Sequence, residues 1–434
     1  VVAARGSEAD QAGAGAEVGQ RSTQAHPTSM LREVRASKPH PSAAPGRASA
    51  AMLWMLKGLK IGQLDVTLPD GSKRRFTGDQ PGPQGHLRLR SGAVLRKSIL
   101  GAATGFAESY LDGDWDSPNL AETLHVLMLN QAHYRGPYDR NPVTHWIGRT
   151  LHAMRANTKA GSRRNIQAHY DLGNDFYELW LDETMTYSAA VFDPMEEDLA
   201  AAQRRKYQCM LDRLDLQADH HLLEIGSGWG GFAIHAAQTT GCRVTSITLS
   251  DEQLAEARRR AEQAGVADRV EFRLQDYRDL HEQFDRVVSI EMYEAVGEDY
   301  WPTYFNTIRE VLKRDGVAVL QGITIDEQHF DDYRSRIDFI QKYIFPGGML
   351  ASPSVFQRSA HRAGLTTDNP TFFGPHYAET LRRWHDQVLE HRSAIVGQFD
   401  ERFLRMWRYY LAYCECGFED GRIDVMHIAL RHSD

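Results

Sequence analysis

Hydrophobic and polar positions alternate along this chain with two different periods, and the change of period divides it. Residues 64–76 read Leu-Asp-Val-Thr-Leu-Pro-Asp-Gly-Ser-Lys-Arg-Arg-Phe. Alternation on either side of Pro69-Asp70-Gly71 predicts a β-hairpin turning at those three residues. Residues 87–90 keep the same period and predict a further strand. Residues 105–111 read as a helix end before an acidic turn at 112–116, and 120–130 as the closing helix of a small α+β unit. The cluster Met-Leu-Trp-Met-Leu at 52–56 opens a short helix that either packs on this unit or rests on lipid. Residues 134–165 contain Gly-Pro, Asn-Pro and many basic side chains, and read as a linker with one helix at 146–155.

Beyond residue 165 the pattern becomes strand, helix, strand. Apolar runs at 222–225, 243–249, 270–274, 285–290 and 316–323 predict five strands, and 423–430 a last one after two long helices. Ser250 with Gln253 forms a capping-box pattern, so a helix is predicted to start there, and 300–312 is helical by period. Residues 325–375 interrupt the rhythm. The fold class is therefore α/β, a Rossmann-like, mostly parallel sheet with helices on both faces, plus the small α+β N-terminal domain. Ligands in such sheets sit at the carboxyl ends of the strands. The domain reading is a disordered segment 1–51, an N-terminal domain 52–133, a linker 134–165 and a catalytic domain 166–434.

Composition adds three constraints. Hydrophobic residues make up 42% and charged residues 25% of the 434, the balance of an ordinary globular chain. No run of eighteen apolar residues predicts a membrane-spanning helix, and residues 1–51 lack the apolar core of a signal peptide. That segment has no Phe, Tyr or Trp and is expected to be disordered, with Met52 the expected native start. Cys209, Cys242, Cys414 and Cys416 are too scattered for a disulfide framework, and Cys414-x-Cys416 has no second pair nearby, so neither zinc nor another metal is expected.

Charge is unevenly spread. Residues 52–164 hold 16 Lys and Arg against 9 Asp and Glu, whereas residues 165–434 hold 28 against 45. A basic front on an acidic body predicts an anionic partner for the front, a membrane surface or nucleic acid.

Chemistry concentrates at Glu224-Ile225-Gly226-Ser227-Gly228-Trp229-Gly230-Gly231. A strand ending in an acid, then G-x-G-x-G and a helix, is the form that holds S-adenosylmethionine (SAM). The dinucleotide fingerprint is instead G-x-G-x-x-G, with an acid after the second strand, and none follows here. Three other segments join this one: 169–174 (His-Tyr-Asp-Leu-Gly-Asn), Tyr187-Ser188, and 274–277 (Leu-Gln-Asp-Tyr). With residues 248–253, 343–348, 373–377 and 409–411, they closely resemble the cyclopropane-fatty-acyl-phospholipid synthase family of SAM-dependent methyltransferases, over residues 52–434.

The resemblance implies a set of roles. Tyr187 and Ser188 would hold the methionine carboxylate, with Gly226 and Gly228 close by and Glu224, Trp229 and Gly230 completing the turn. Thr248, Leu249 and Gln253 would serve the ribose region, and Gln275, Asp276 and Tyr277 the adenine. Tyr343, Ile344 and Phe345 would line an acyl tunnel. Family members use a bound bicarbonate as base, held by Glu, Tyr, Cys and His. Here Glu294 and Tyr377 match, but the Cys position is Ala189 and the His position is Gln321. Glu294, Tyr377 and Gln321 are thus the implied catalytic residues. Two products follow: a cyclopropane if Gln321 substitutes for the histidine, or, as the loss of two base-holding side chains favours, a methyl- or methylene-branched chain.

The resemblance also implies a phospholipid bilayer as substrate and partner, in place of nucleic acid, and a peripheral position at the inner, cytoplasmic face of the membrane. It leaves room for a homodimer and a separate reductase. Two other readings share the motifs: an amine N-methyltransferase, and a lipid-binding protein without turnover.

Overall fold

The computed structural model describes residues 53–131 and 172–433. The predicted linker with its helix, residues 1–52 and His169–Asp171 of the first motif all lie outside these residues.

In the N-terminal part, β1 (Ile61–Thr67) and β2 (Lys73–Thr77) form the predicted hairpin, closed by the Leu68 amide on the Ser72 carbonyl. β3 (Gln80–Leu89) returns parallel to β1 on its other side, and after α1 (Ala93–Leu111) the short β4 (Trp115–Asp116) completes a sheet of order β2-β1-β3-β4. The alternation along β1 buries Leu64 and Val66, and α2 (Leu120–Leu129) covers that face. Asn130 ends α2 and ties it down: its side chain accepts from the Lys60 and Ile61 amides at 2.8 and 3.1 Å and donates to the Ile61 carbonyl. Within 53–131 there are nine basic and eight acidic residues, so most of the basic excess of the front lies outside the described residues.

The larger sheet follows α3 (Leu199–Leu214). Its elements are β5 (His221–Ile225), α4 (Gly231–Thr240), β6 (Arg243–Thr248), α5 (Asp251–Gln263), β7 (Val270–Leu274), β8 (Phe284–Ile290), α6 (Trp301–Val311) and β9 (Leu312–Ile325). Then come α7 (Pro353–Arg362), β10 (Leu365–Thr367), β11 (Thr371–Phe372), α8 (Gly374–Glu390), α9 (Glu401–Glu419) and β12 (Ile423–His432). Strand order is β10-β12-β9-β8-β5-β6-β7, with β11 also on β12. β5 to β9 pair in parallel and β12 runs antiparallel to β9. The chain steps outward from β5 through β6 to β7, then returns to place β8 on the other side of β5. The order reverses between β5 and β8, and a crevice opens at their carboxyl ends.

Two local expectations are corrected. The fifth strand starts at Leu312 rather than 316, because the chain passes from α6 into β9 without a loop. The capping box at α5 is half formed. Ser250 accepts from the Gln253 amide at 3.3 Å, but the Gln253 side chain accepts from the Thr248 hydroxyl at 2.8 Å instead of turning back to the cap.

The N-terminal sheet and the catalytic elements share one apolar cluster, which includes Leu64, Tyr110, Trp115, Tyr377 and Trp407. Arg405 of α9 is buried in it, stacked 3.9 Å over the Tyr110 ring and donating to the Tyr110 and Trp115 carbonyls at 2.6 and 2.7 Å. Among the described residues no helix is long and apolar enough to cross a membrane.

Candidate active site

The Gly-rich turn leaves β5 and enters α4 with Gly226, Gly228 and Gly230 at φ of 100°, 49° and 85°. Two of these glycines do different work. A Cβ on Gly230 would lie 2.9 Å from Phe272 and 3.1 Å from Ala257, so that position lets β7 and α5 close on the turn. A Cβ on Gly228 would meet nothing within 4 Å. Its backbone borders open space, as a cradle for a ligand requires. The amides of Gly226 and Ser227 both reach the Ile247 carbonyl, which holds the turn against β6.

Around this turn lie most of the residues expected for the cofactor. Trp229 is buried and donates its indole N–H to Asn174 at 2.7 Å, joining the turn to the upstream motif. Thr248 and Gln253 are buried and bonded to each other; Leu249 beside them is half-buried. Gln275 is fixed by its amide to the Thr248 carbonyl and by its side chain to Asp279. Asp276 forms a salt bridge to Arg278, whose guanidinium also lies over the Tyr277 ring. Glu224 faces inward: its carboxylate accepts from Ser246, and burial pushes its pKa up to about 8. That bond braces β5 on β6.

Ser188 departs most from expectation. The neighbouring side chains Tyr187 and Ser188 have different partners. Tyr187 turns to an aromatic group, with Trp384 at 5.4 Å and Phe345 at 6.5 Å, and its hydroxyl is 2.7 Å from that of Tyr410. Ser188 joins a polar cluster built around Glu291. The three tunnel residues separate as well. Phe345 stands beside Tyr187 and Tyr410, and Ile344 is buried. Tyr343 instead donates to Glu108 of α1 at 2.7 Å.

Glu291 was not among the residues singled out in the sequence. It follows β8 immediately, at the strand-order reversal, with φ of 49°, a conformation that costs a non-glycine residue energy and is retained mainly at functional sites. Four donors meet its carboxylate. Oε1 accepts from the Ser188 hydroxyl at 2.8 Å, the Ala189 amide at 2.9 Å and Gln321 Nε2 at 2.7 Å, and Oε2 accepts from the Tyr377 hydroxyl at 2.6 Å. The contacts thought lost with Cys and His are therefore replaced, by a backbone N–H at Ala189 and an amide at Gln321. Gln321 is oriented by His427, whose Nε2 lies 2.8 Å from its Oε1. Burial and the nearby Lys206 and Arg213 push His427 down to about 3, so its ring is neutral and donates there.

Lys206 of α3 was also missed. It is fully buried, 3.1 Å from the Ser188 hydroxyl, and burial lowers its pKa to about 8 against the pull of Glu291. The signal was present: Ala202, Gln203, Lys206 and Met210 share the buried stripe of α3, where a lysine needs a reason. For Glu291 the signal was an acid at the carboxyl end of a central strand.

Glu294 lies one turn further on. The residue is half-buried overall but its carboxyl is enclosed. Oε1 accepts from the Ile323 amide, and among the described residues nothing hydrogen-bonds Oε2. Burial, reinforced by the Glu291 charge, pushes it up to about 8, so it is protonated at neutral pH. Cys414, in the neighbouring core, has its thiol pushed up by burial, the behaviour of a packing residue rather than a nucleophile.

A mostly parallel sheet with a G-x-G-x-G cradle at its switch point, and no acid after the second strand, is the form of a SAM-dependent methyltransferase rather than of a dinucleotide-binding enzyme. The family model for mycolic acid cyclopropane synthetase matches residues 157–428. The tuberculostearic acid methyltransferase UfaA1 of Mycobacterium tuberculosis is 40% identical over 77% of this chain and 80% of its own length. Cyclopropane-fatty-acyl-phospholipid synthase of Escherichia coli is 32% identical over 79% and 86%. The solved mycolic acid cyclopropane synthase CmaA1, complexed with SAH and CTAB, superposes with a TM-score of 0.58 at 31% identity, over 62% of this chain and 97% of that one. The chain belongs to the cyclopropane synthase family of SAM-dependent methyltransferases, and SAM is its cofactor.

Proposed function

We propose that this enzyme transfers the SAM methyl group to the double bond of an unsaturated acyl chain in a membrane phospholipid, and that the product is methyl- or methylene-branched rather than a cyclopropane. SAM supplies a sulfonium methyl that an alkene can take, leaving a cation on the neighbouring chain carbon. Gly226 and Gly228 would carry the backbone along the methionine end of SAM, with Thr248 and Gln253 at the ribose and Tyr277 at the adenine. Tyr187, Phe345 and Tyr410 would surround the acyl chain, where aromatic faces stabilise a passing positive charge.

The observation that carries the reading is the aromatic group of Tyr187, Phe345 and Tyr410 set next to the Glu291 cluster, since Tyr187 and Ser188 are adjacent in the chain. An acyl chain rather than a small amine is supported by the names of relatives that match over more than three quarters of this chain, a tuberculostearic acid methyltransferase and a cyclopropane-fatty-acyl-phospholipid synthase. The branched product is supported by the name of the 40% identical relative, a methyltransferase rather than a cyclopropane synthase. A methylene product would need a separate reductase to supply hydride for saturation.

The test is purified enzyme with SAM and monounsaturated phospholipid, with the released acyl chains analysed by mass spectrometry and NMR. Exocyclic methylene or methyl signals are expected. Dominant cyclopropane ring protons would overturn the branched product, and methylation of amines alone would overturn the substrate class.

A further inference from the structure

We propose that the Glu291 carboxylate is the base that removes the proton after methyl transfer, taking the place of the bound bicarbonate that the family resemblance implies. This rests on the acyl-chain reading above and assigns the residue that completes its chemistry.

Besides Glu294, the groups that would hold bicarbonate are the Tyr377 hydroxyl and the donors at positions 189 and 321. All three already donate to Glu291, at 2.6, 2.9 and 2.7 Å. A second carboxylate-like anion on the same donors would have to displace Glu291 and leave its charge unpaired in a site largely shut from water. The donor set therefore fits an internal carboxylate and not an added one.

Geometry favours Glu291 over its neighbour. Among the described residues, the four partners of Glu291 all donate to it, so its carboxyl oxygens serve as acceptors. Oε1 is saturated by three donors, whereas Oε2 has one and keeps a lone pair. Glu291 stands at the carboxyl end of β8, where the strand order reverses, and is half-buried with a left-handed backbone at φ of 49°. Glu294 is enclosed, and burial pushes it up to about 8, which favours its protonated form at neutral pH. A C–H bond beside a carbocation gives up its proton even to a weak base.

The step balances without any further reagent. The alkene π pair forms the new C–C bond as the S–CH3 bond breaks, and its other carbon becomes the cation. A hydride shift from the methyl-bearing carbon moves the charge there. A methyl C–H then breaks, its electron pair forms the C=CH2 bond, and the proton passes to Glu291 Oε2 and on to solvent. SAM and alkene become S-adenosylhomocysteine, methylene-branched chain and one proton.

The test compares wild type, Glu291→Gln and Glu291→Gly on monounsaturated phospholipid, in buffer stripped of carbon dioxide and in the same buffer with bicarbonate or formate. SAM affinity by calorimetry checks that each variant is folded. Wild-type turnover should not change with bicarbonate. Both variants should lose turnover on the order of a hundredfold or more while still binding SAM, and the cavity of Glu291→Gly should let bicarbonate or formate restore much of it. Wild-type turnover that collapses without bicarbonate would overturn the assignment, as would Glu291→Gln turnover within about threefold of wild type; neither touches the acyl-chain reading. A wild-type enzyme that methylates no acyl chain under any condition would overturn both.

Discussion

Gln321 donates its amide to Glu291 at 2.7 Å while its carbonyl oxygen accepts from His427, so a neutral histidine on β12 sets the orientation of a residue on β9 that holds a carboxylate on β8. Gln321 is therefore a positioning residue. Gln321→Leu should lower kcat about tenfold or more with little change in KM for SAM, because it removes one of four donors and strands the His427 N–H. Gln321→Asn, too short to span both partners, should behave similarly. Unchanged kcat in both would mean the amide only fills space.

Gly228→Val should abolish SAM binding without unfolding the protein. The residue has φ of 49° and open space around its missing Cβ, so the substitution strains the backbone and fills the cradle. Calorimetry with SAM on the folded variant is the measurement. Undiminished affinity would reduce the turn to a tight corner between β5 and α4.

Glu294 predicts a pH dependence with a definite sign. Its folded pKa is about 8, above the ordinary value of 4.5. The folded state thus binds a proton that the unfolded state has lost between those values, and stability falls as pH rises through that window. Glu294→Gln removes the titrating group. The stability difference between variant and wild type should shift in favour of the variant by up to about 4 kcal/mol from pH 4.5 to pH 8, then level off. Urea melts across that range would show it; a difference independent of pH would mean the carboxyl is solvated.

Arg405→Met keeps the volume of a buried side chain but leaves the Tyr110 and Trp115 carbonyls without their donor. A loss of about 2–4 kcal/mol is expected from thermal or urea unfolding. A loss under about 0.5 kcal/mol would show that water reaches those carbonyls.

Bilayer binding is the remaining prediction. Trp54 is 73% exposed, and Lys73, Arg74 and Arg88 line a cleft of about 410 Å³ on the N-terminal sheet. The full chain should float with anionic vesicles more than with neutral ones, lose binding as salt rises, and lose more when these three cations are replaced by Glu. Equal flotation with both vesicle types would remove the electrostatic part of the idea.

The sequence by itself determined every feature that depends on neighbours in the chain. Period-two alternation around Pro69-Asp70-Gly71 sets a hairpin, and apolar runs between turn residues set β5 to β8. Spaced glycines after Glu224 set the cofactor turn, because positive φ is a local property. What it could not determine was convergence. Ser188, Lys206, Glu291, Gln321, Tyr377 and His427 come from six separate elements and meet only because β8 folds back beside β5 and β12 pairs with β9. Ser188 reads locally as a partner of Tyr187, yet Tyr187 meets the Tyr410 hydroxyl and Ser188 the Glu291 carboxylate. Glu291 reads as one more acid in an acidic domain until four donors from distant elements close on it. A side chain's chemistry is set by what surrounds it, and strand order, not residue order, decides that.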